Sequence, residues 1–557
     1  MVAPVPSAPP AAPPVPPEAD GRGRVARSAG LISGLTVLSR VAGFGRTAVL
    51  GWFVGSTVLG SVYVTANTVP NIIFEIVAGG ALAALVVPLL ARAVTTGDRR
   101  TESATVSALL TWTLAILVPL AVVVAFAAGP IIGALAGDAA GSAERAAGTL
   151  MLRVFAPQLP LYGVGVVLTG VLQAHRRFAW PVIAPLLSSV VVAATYALFA
   201  AVEGPRADLP DVGAGGQLIL AVGTTLGVVV LSLCLVVPIR PLGLRLRPTW
   251  RFPGAAGRSA LRMAGAGVVT VGFQQIAVVV TLRLANTGPE GTVVVFTVAQ
   301  AVYLLPWAIL AVPVATAAYP ALATAHSGGD DSGYRRRLAP AARGVLLLSC
   351  LGAAALVAVA QPVAGFFALP GLGGAVAGFA PGLVGYGLFA MLSRALYARD
   401  LARAAAAATA AGWATVALAA LGLAAGLADD HRLLALTLAN SLGMLVLGAL
   451  LAGAVRIREG AAALAGFGRA LLVGVTAGAA AAAAGWGVTA ALGSGAGTGK
   501  PAAFLHGVLA AIVVAAVFGA VAYPLDRHDV RPGMAALRRR IGRLTAERGG
   551  RGSAGQR

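Results

Sequence analysis

Apolar stretches of 20 residues and more alternate with short breaks of Gly, Pro, Asp and Arg from about residue 28 to residue 525. That is the length of a bilayer-spanning α-helix and about twice the 9–11 residues of a barrel strand. Backbone amides in hydrocarbon must bond within their own element, so runs of this length predict helices. Cutting at the polar breaks gives fourteen expected spans: 28–54, 58–94, 103–136, 148–174, 178–201, 216–239, 259–286, 292–325, 338–361, 375–398, 402–427, 433–456, 466–492 and 502–525. The expected fold class is all-α, a polytopic membrane protein of about 14 transmembrane helices.

Within the breaks a repeat is visible. Pro88-Leu89-Leu90-Ala91 is followed by Gly97-Asp98, and Pro320-Ala321-Leu322-Ala323 by Gly329-Asp330, each element displaced by 232 residues. With six spans between them the two elements return in the same orientation, which predicts two parallel six-helix halves. The chain then divides into a disordered Pro-rich tail (1–27), a first lobe (28–239), a second lobe (259–456), an additional helix pair (466–525) and a basic tail (526–557). Within the last, Leu537, Ile541 and Leu544 among arginines form a basic amphipathic pattern suited to anionic lipid, or simply a soluble tail.

Composition agrees with a membrane protein: of 557 residues, 58% are hydrophobic and 11% charged, against about a quarter charged in soluble proteins. The net charge of +21 sorts by loop. Thirty-three arginines fall in the terminal tails and the alternate loops on their side, while Arg145, Arg206, Arg432 and Lys500 occupy the other. Basic residues near span ends are retained in the cytoplasm, so both termini are expected there. Nucleic acid is not needed to explain the charge. Cys234 and Cys350 lie singly in apolar runs, and the chain carries no HExxH, no Walker loop and no GxGxxG that opens a strand-helix unit. No cofactor, metal or catalytic activity is expected.

The informative residues are ionisable groups inside spans, each costing roughly 2.5–3.5 kcal/mol at mid-bilayer. Arg40 lies 13 residues past Arg27, about 20 Å along the first helix, and Arg46 is about 9 Å further on. On the second span Asn67, Asn71 and Glu75 recur at i, i+4 and i+8 and share a helix face. Two readings stand side by side. Arg40 and Glu75 could form one buried ion pair that fixes helix packing. Alternatively, since one acid cannot neutralise two arginines, the set lines a hydrated cavity for an anion, and two guanidinium forks suit a diphosphate. Pro70 and Gly79-Gly80 predict a kink beside this set. Gln274, Gln275, Gln300 and Tyr303, followed by Pro306 and Pro313, form a milder counterpart in the second half, as cavity lining or as interhelical hydrogen-bond partners.

Ser39-Arg40-Val41-Ala42-Gly43-Phe44-Gly45-Arg46, Ala66-Asn67, Pro70-Asn71, Gly79-Gly80-Ala81-Leu82 and Val87-Pro88 resemble the MurJ (MviN) lipid II flippases of the multidrug/oligosaccharidyl-lipid/polysaccharide exporter superfamily. Leu172–Phe178 and Leu396–Asp400 are similar to that family's fourth and tenth loops. The resemblance implies two six-helix lobes around a cationic cavity for a diphosphate-linked glycopeptide headgroup, and a final helix pair forming a groove for the polyprenyl tail. Arg40 and Arg46 match the family's first-helix arginines. Thr47, Ser61, Phe74-Glu75, Gly79 and Ala301 stand where many or some relatives carry charges. The expected function is a lipid II flippase that works from inner to outer leaflet by alternating access, with Arg40 and Arg46 on the diphosphate and Asn67, Asn71 and Glu75 completing the cavity. Expected partners are lipid II, membrane lipids and proteins of cell-wall synthesis. The alternatives are an exporter of another polyprenyl-linked glycan or amphipathic solute, and a transport-inactive scaffold for cell-wall enzymes.

Overall fold

The computed structural model describes residues 35, 38–76, 83–137, 140–252, 256–495 and 497–525. The Pro-rich tail, the Gly79-Gly80 pair and the basic tail with its amphipathic stretch lie outside them. Among the described residues the regular elements are all helical. The first half contains α1 (38–53), α2 (Val58–Phe74), α3 (Ala83–Thr96), α4 (Arg99–Phe126), α5 (Ala128–Leu135), α6 (Ser142–Phe155), α7 (Gln158–Ala174), α8 (Ala179–Glu203), α9 (Ala214–Leu233) and α10 (Val236–Ile239). The second contains α11 (Ala256–Ala285), α12 (Thr292–Pro306), α13 (Val312–Ser327), α14 (Asp331–Phe367), α15 (Leu372–Phe379), α16 (Gly382–Tyr397), α17 (Ala402–Gly426) and α18 (Arg432–Glu459), followed by α19 (Phe467–Ala491) and α20 (Lys500–Leu525). A π-helical turn, Trp307–Ala311, joins α12 to α13.

Ten of these helices or joined helices are long and apolar enough to cross a bilayer, or eleven if α15 and α16, bent by 45°, form one span. Length and apolarity thus recover fewer than the fourteen expected spans. The shortfall falls at α1, at α2 with α3, and at α11, which adjoin residues outside the described set. Other boundaries differ for a physical reason. α14 starts at Asp331 rather than near 338 because the Asp330 carboxylate accepts the Gly333 N–H at 2.7 Å. A capped helix continues through Arg335–Arg337 regardless of their polarity.

The repeated loops fold alike. Gly97 and Gly329 have φ of 70° and 68°, a region where glycine avoids the Cβ penalty. Asp98 and Asp330 each donate N–H to a carbonyl five residues back, Ala93 and Ala325, at 2.9 Å, and each caps the following helix. A second pair of turns also matches: Arg177 N–H bonds Leu172 O at 2.8 Å, Leu401 N–H bonds Leu396 O at 2.9 Å, and Arg176 and Asp400 both have φ of 57°.

Buried side chains form four clusters. One joins α3, α4, α7 and the α9–α10 region; a second runs from Leu50 through α2, α6, α8 and α9 to α11, α12, α17 and α18. A third sets Ala48 against α12, α14 and α15, and the largest joins α13, α14 and α16–α20. Small residues permit the closest approaches: a Cβ added to Gly385 on α16 would lie 1.9 Å from Met444 O on α18.

Hydrogen bonds joining the two halves gather at one end of the bundle. Trp52 Nε1–H donates to Phe366 O at 3.0 Å, Arg206 Nη2–H to Phe367 O at 2.9 Å, and Asn286 Nδ2–H to Thr65 Oγ1 and Leu135 O at 3.1 Å each. Lys500 Nζ also lies 4.8 Å from the Trp52 ring centre. At the opposite end polar contacts bind each half internally. His175 Nε2 lies 2.5 Å from Glu102 Oε1, while Arg399 bonds Asp331 at 2.6 Å and stacks over Tyr334 at 4.5 Å.

Candidate functional site

Between the halves lies a cavity of about 250 Å³, walled by α1, α2, α8, α9, α11, α12, α17 and α18. Its polar lining comes from single turns of many helices. α1 contributes Arg46 and Thr47, and α2 contributes Asn67, Thr68 and Asn71 at helical spacing. From the second half come Thr281, Thr297, Gln300 and Asn440.

The first wall is pre-organised by hydrogen bonds. Tyr63 O–H lies 2.8 Å from the Tyr196 hydroxyl and 2.7 Å from Thr224 Oγ1, tying α2, α8 and α9 together. Tyr162 O–H donates to Asn71 Oδ1 at 3.0 Å, and Asn71 Nδ2–H donates to Asn67 O at 2.9 Å. The Asn67 and Asn440 side-chain oxygens are buried without a protein donor, so a polar occupant of the cavity would relieve the cost of their burial.

Arg46 is exposed and makes no hydrogen bond or ion pair with a described residue. It nonetheless lies within electrostatic reach of the Tyr63, Tyr162 and Tyr196 hydroxyls. Here the fixed charge is positive, and neutral hydroxyl and amide groups surround it.

Of the five residues singled out from sequence, Arg46, Asn67 and Asn71 meet in this cavity. Arg40 and Glu75 lie outside its lining, further from Trp52 along α1 and α2. Both are exposed, and the ion pair that one reading joined them in does not form. At Glu75 the helix passes into a π-turn, beside the expected kink, and Gly79-Gly80 falls outside the described residues. In the second half Gln300 lines the cavity, Gln275 is buried, and Tyr303 stacks on Phe379 with ring centres 5.0 Å apart. Between Pro306 and Pro313 the helix passes through the π-turn Trp307–Ala311.

Tyr63, Tyr196, Thr224 and Asn440 were missed in the sequence. They come from four different helices and carry no spacing signal. A polar residue in mid-span was the available clue, but it does not say which polar residues converge.

A polytopic helical bundle, bonded together at one end around a central polar cavity with an uncompensated cation, is the architecture of a membrane carrier. Solved transporters share the helical fold. "Lipid II flippase MurJ, inward closed conformation" superposes with TM-score 0.69 at 18% identity, covering 89% of this chain and 99% of that one. An inward-facing multidrug resistance MATE family transporter of the MOP superfamily gives 0.62 at 17% identity, covering 77% and 95%. The family profile described as Lipid II flippase MurJ matches residues 52–494, and the chain belongs to that family of multi-pass membrane transporters. Relatives include "Lipid II flippase MurJ" of Burkholderia cenocepacia, 27% identical over 66% of this chain and 72% of that protein. The "Probable lipid II flippase MurJ" of Haemophilus influenzae is 25% identical over 66% and 74%. Arg40 and Arg46 precede the matched stretch.

Proposed function

We propose that this protein moves lipid II, the polyprenyl-diphosphate-linked peptidoglycan precursor, from the inner to the outer leaflet. It does so by alternating access between two six-helix lobes, 28–239 and 259–456, with 466–525 as an additional helix pair. Both termini are cytoplasmic, as the distribution of arginines favours. The end tied by Trp52, Arg206 and Asn286 is then the outer face, and the cavity is served from the inside. The carrying observation is Arg46, a guanidinium lining the cavity between the lobes without a carboxylate partner among the described residues. Such a charge is stable only beside water or an anion.

In this reading Arg46 holds the diphosphate as it enters, and the hydroxyls and amides of Asn67, Asn71, Thr224 and Gln300 bond the neutral sugar. Arg40 and Glu75 lie on the cytoplasmic side of the cavity, where Arg40 meets the headgroup first and Glu75 repels it unless paired. The chemistry is translocation, with no bond made or broken. Replacing Arg46 with Ala in cells depleted of their own flippase should abolish growth and the appearance of precursor in the outer leaflet. Arg46→Lys should retain part of both, because it keeps the charge but loses the bidentate fork. Full growth and full outer-leaflet precursor with Arg46→Ala would overturn the assignment.

A further inference from the structure

The chain from Gly243 to Phe252 contains no helix or strand among its described residues, yet it is held in register along α4. Arg245 N–H donates to Ser103 Oγ at 3.3 Å, Arg247 N–H to Ser107 Oγ at 3.0 Å and Thr249 N–H to Thr111 Oγ1 at 3.0 Å. The acceptors recur every four helical residues, about 6 Å, and the donors every two extended residues, about 6.6 Å, so the two periods match. Trp112 closes the ladder: its Nε1–H bonds Trp250 O at 3.0 Å, and the two rings meet edge to face at 5.3 Å.

This strap completes an open pocket of about 580 Å³ lined by Arg99, Arg100, Arg245, Arg247, Ser103 and Ser107. Among the described residues no acidic side chain lines it. The nearby acids are engaged: Asp98 accepts from Thr101 N–H, and Glu102 is buried against His175, 3.9 Å from Arg99. Arg99 also donates to Leu242 O at 2.6 Å, while Arg100, Arg245 and Arg247 are exposed.

The depth of the pocket is set by α4 itself. Its 28 residues span about 42 Å, more than the roughly 30 Å hydrocarbon core. Beyond Trp112 its exposed large side chains are apolar, among them Ile116, Val122 and Phe126. Before Trp112 its Ser and Thr face is covered by the strap. The tryptophan pair therefore marks the membrane surface, as indoles do, and the four arginines lie on its aqueous side, from Arg247 beside Ser107 about 7 Å along α4 to Arg99 about 20 Å along it.

We propose that this pocket binds the phosphate of an anionic phospholipid whose acyl chains descend along the exposed face of α4. Charge complementarity supplies the attraction, and the adjoining apolar face favours a lipid over a soluble anion. The central cavity contributes no residue to this pocket, so it stands independently of the transport reading.

The test is native mass spectrometry of the full chain in mild detergent with phosphatidylglycerol or phosphatidylcholine added. The wild type should retain phosphatidylglycerol preferentially. Arg245→Gln with Arg247→Gln should lower its occupancy at least tenfold at matched lipid concentration, and Arg100→Gln alone should lower it about threefold. Arg335→Gln with Arg336→Gln, at the start of α14, should leave it unchanged. Inorganic phosphate at the lipid's concentration should not displace it. Equal retention of both lipids, undiminished occupancy in folded pocket variants, or displacement by phosphate alone would each overturn the proposal. If the double variant fails to fold, the Arg100→Gln result decides.

Discussion

If the end tied by Trp52 and Arg206, the outer one in the proposed orientation, is held shut by the bonds between halves, weakening them should open the cavity outward without disturbing either half. Trp52→Phe removes the bond to Phe366 O but keeps a ring to pack against Phe366 and Phe367. Arg206→Met removes the bond to Phe367 O but keeps a stem over Gly55, which the arginine stem approaches so closely that a Cβ added there would lie 2.8 Å from Arg206 Cγ. A neutral hydrogen bond contributes about 1 kcal/mol net, and one from a charged donor about 1.5–3 kcal/mol. Arg206 is exposed, so water replaces much of its bond and the contribution falls to about 1 kcal/mol. The pair then shifts the closed–open balance by about 2 kcal/mol, roughly thirtyfold. The readout is a single cysteine at Gln300, introduced after Cys234→Ala and Cys350→Ala, labelled by a membrane-impermeant maleimide from the outer side. Labelling should accelerate about thirtyfold in the double variant and several-fold in each single one. Unchanged labelling in a folded double variant would show that these bonds do not hold the end closed.

Three further outcomes follow from the packing and capping described above. Gly385→Ala should destabilise the second half by about 3 kcal/mol or more, because its new methyl would overlap Met444 O; purified yield and thermal melting would show it. Asp330→Ala should lower the thermal unfolding temperature through loss of the α14 cap, whereas Asp330→Asn, which keeps an acceptor, should lower it only slightly. The Asp330 carboxyl is held below its ordinary value, first by the Gly333 N–H and then by Ser332. Its stabilising contribution is therefore complete above the ordinary carboxylate value and lost as pH falls through the lowered one, so the wild-type advantage over Asp330→Asn should vanish in acid.

How much of this was legible depended on the range of the interaction. Helical class and the multi-pass membrane character came from local facts, namely the length of the apolar runs and the need to satisfy every backbone amide inside hydrocarbon. The 232-residue echo of Gly97-Asp98 in Gly329-Asp330 was local too, because a left-handed glycine followed by a capping aspartate builds the same turn wherever it occurs. Asn67 and Asn71 could be assigned to one surface because four residues nearly complete a helical turn. Helix ends were less visible, since hydrogen bonding continues past the apolar stretch until a cap intervenes.

Convergence was decided only by packing. Arg46 faces a cavity and Arg40 does not, although both stood out equally as arginines inside a span. No rule of spacing joins Tyr63 to Tyr196 and Thr224, or sets Trp52 beneath the carbonyl of Phe366. The strap on α4 shows both sides of the division: its alternating residues and the helix's fourfold Ser/Thr spacing are each written in the chain, but their matching rise becomes a pocket only when the fold lays one against the other. Sequence specifies what each segment does with its own backbone; which distant segments share a surface is settled by shape and burial in the folded whole.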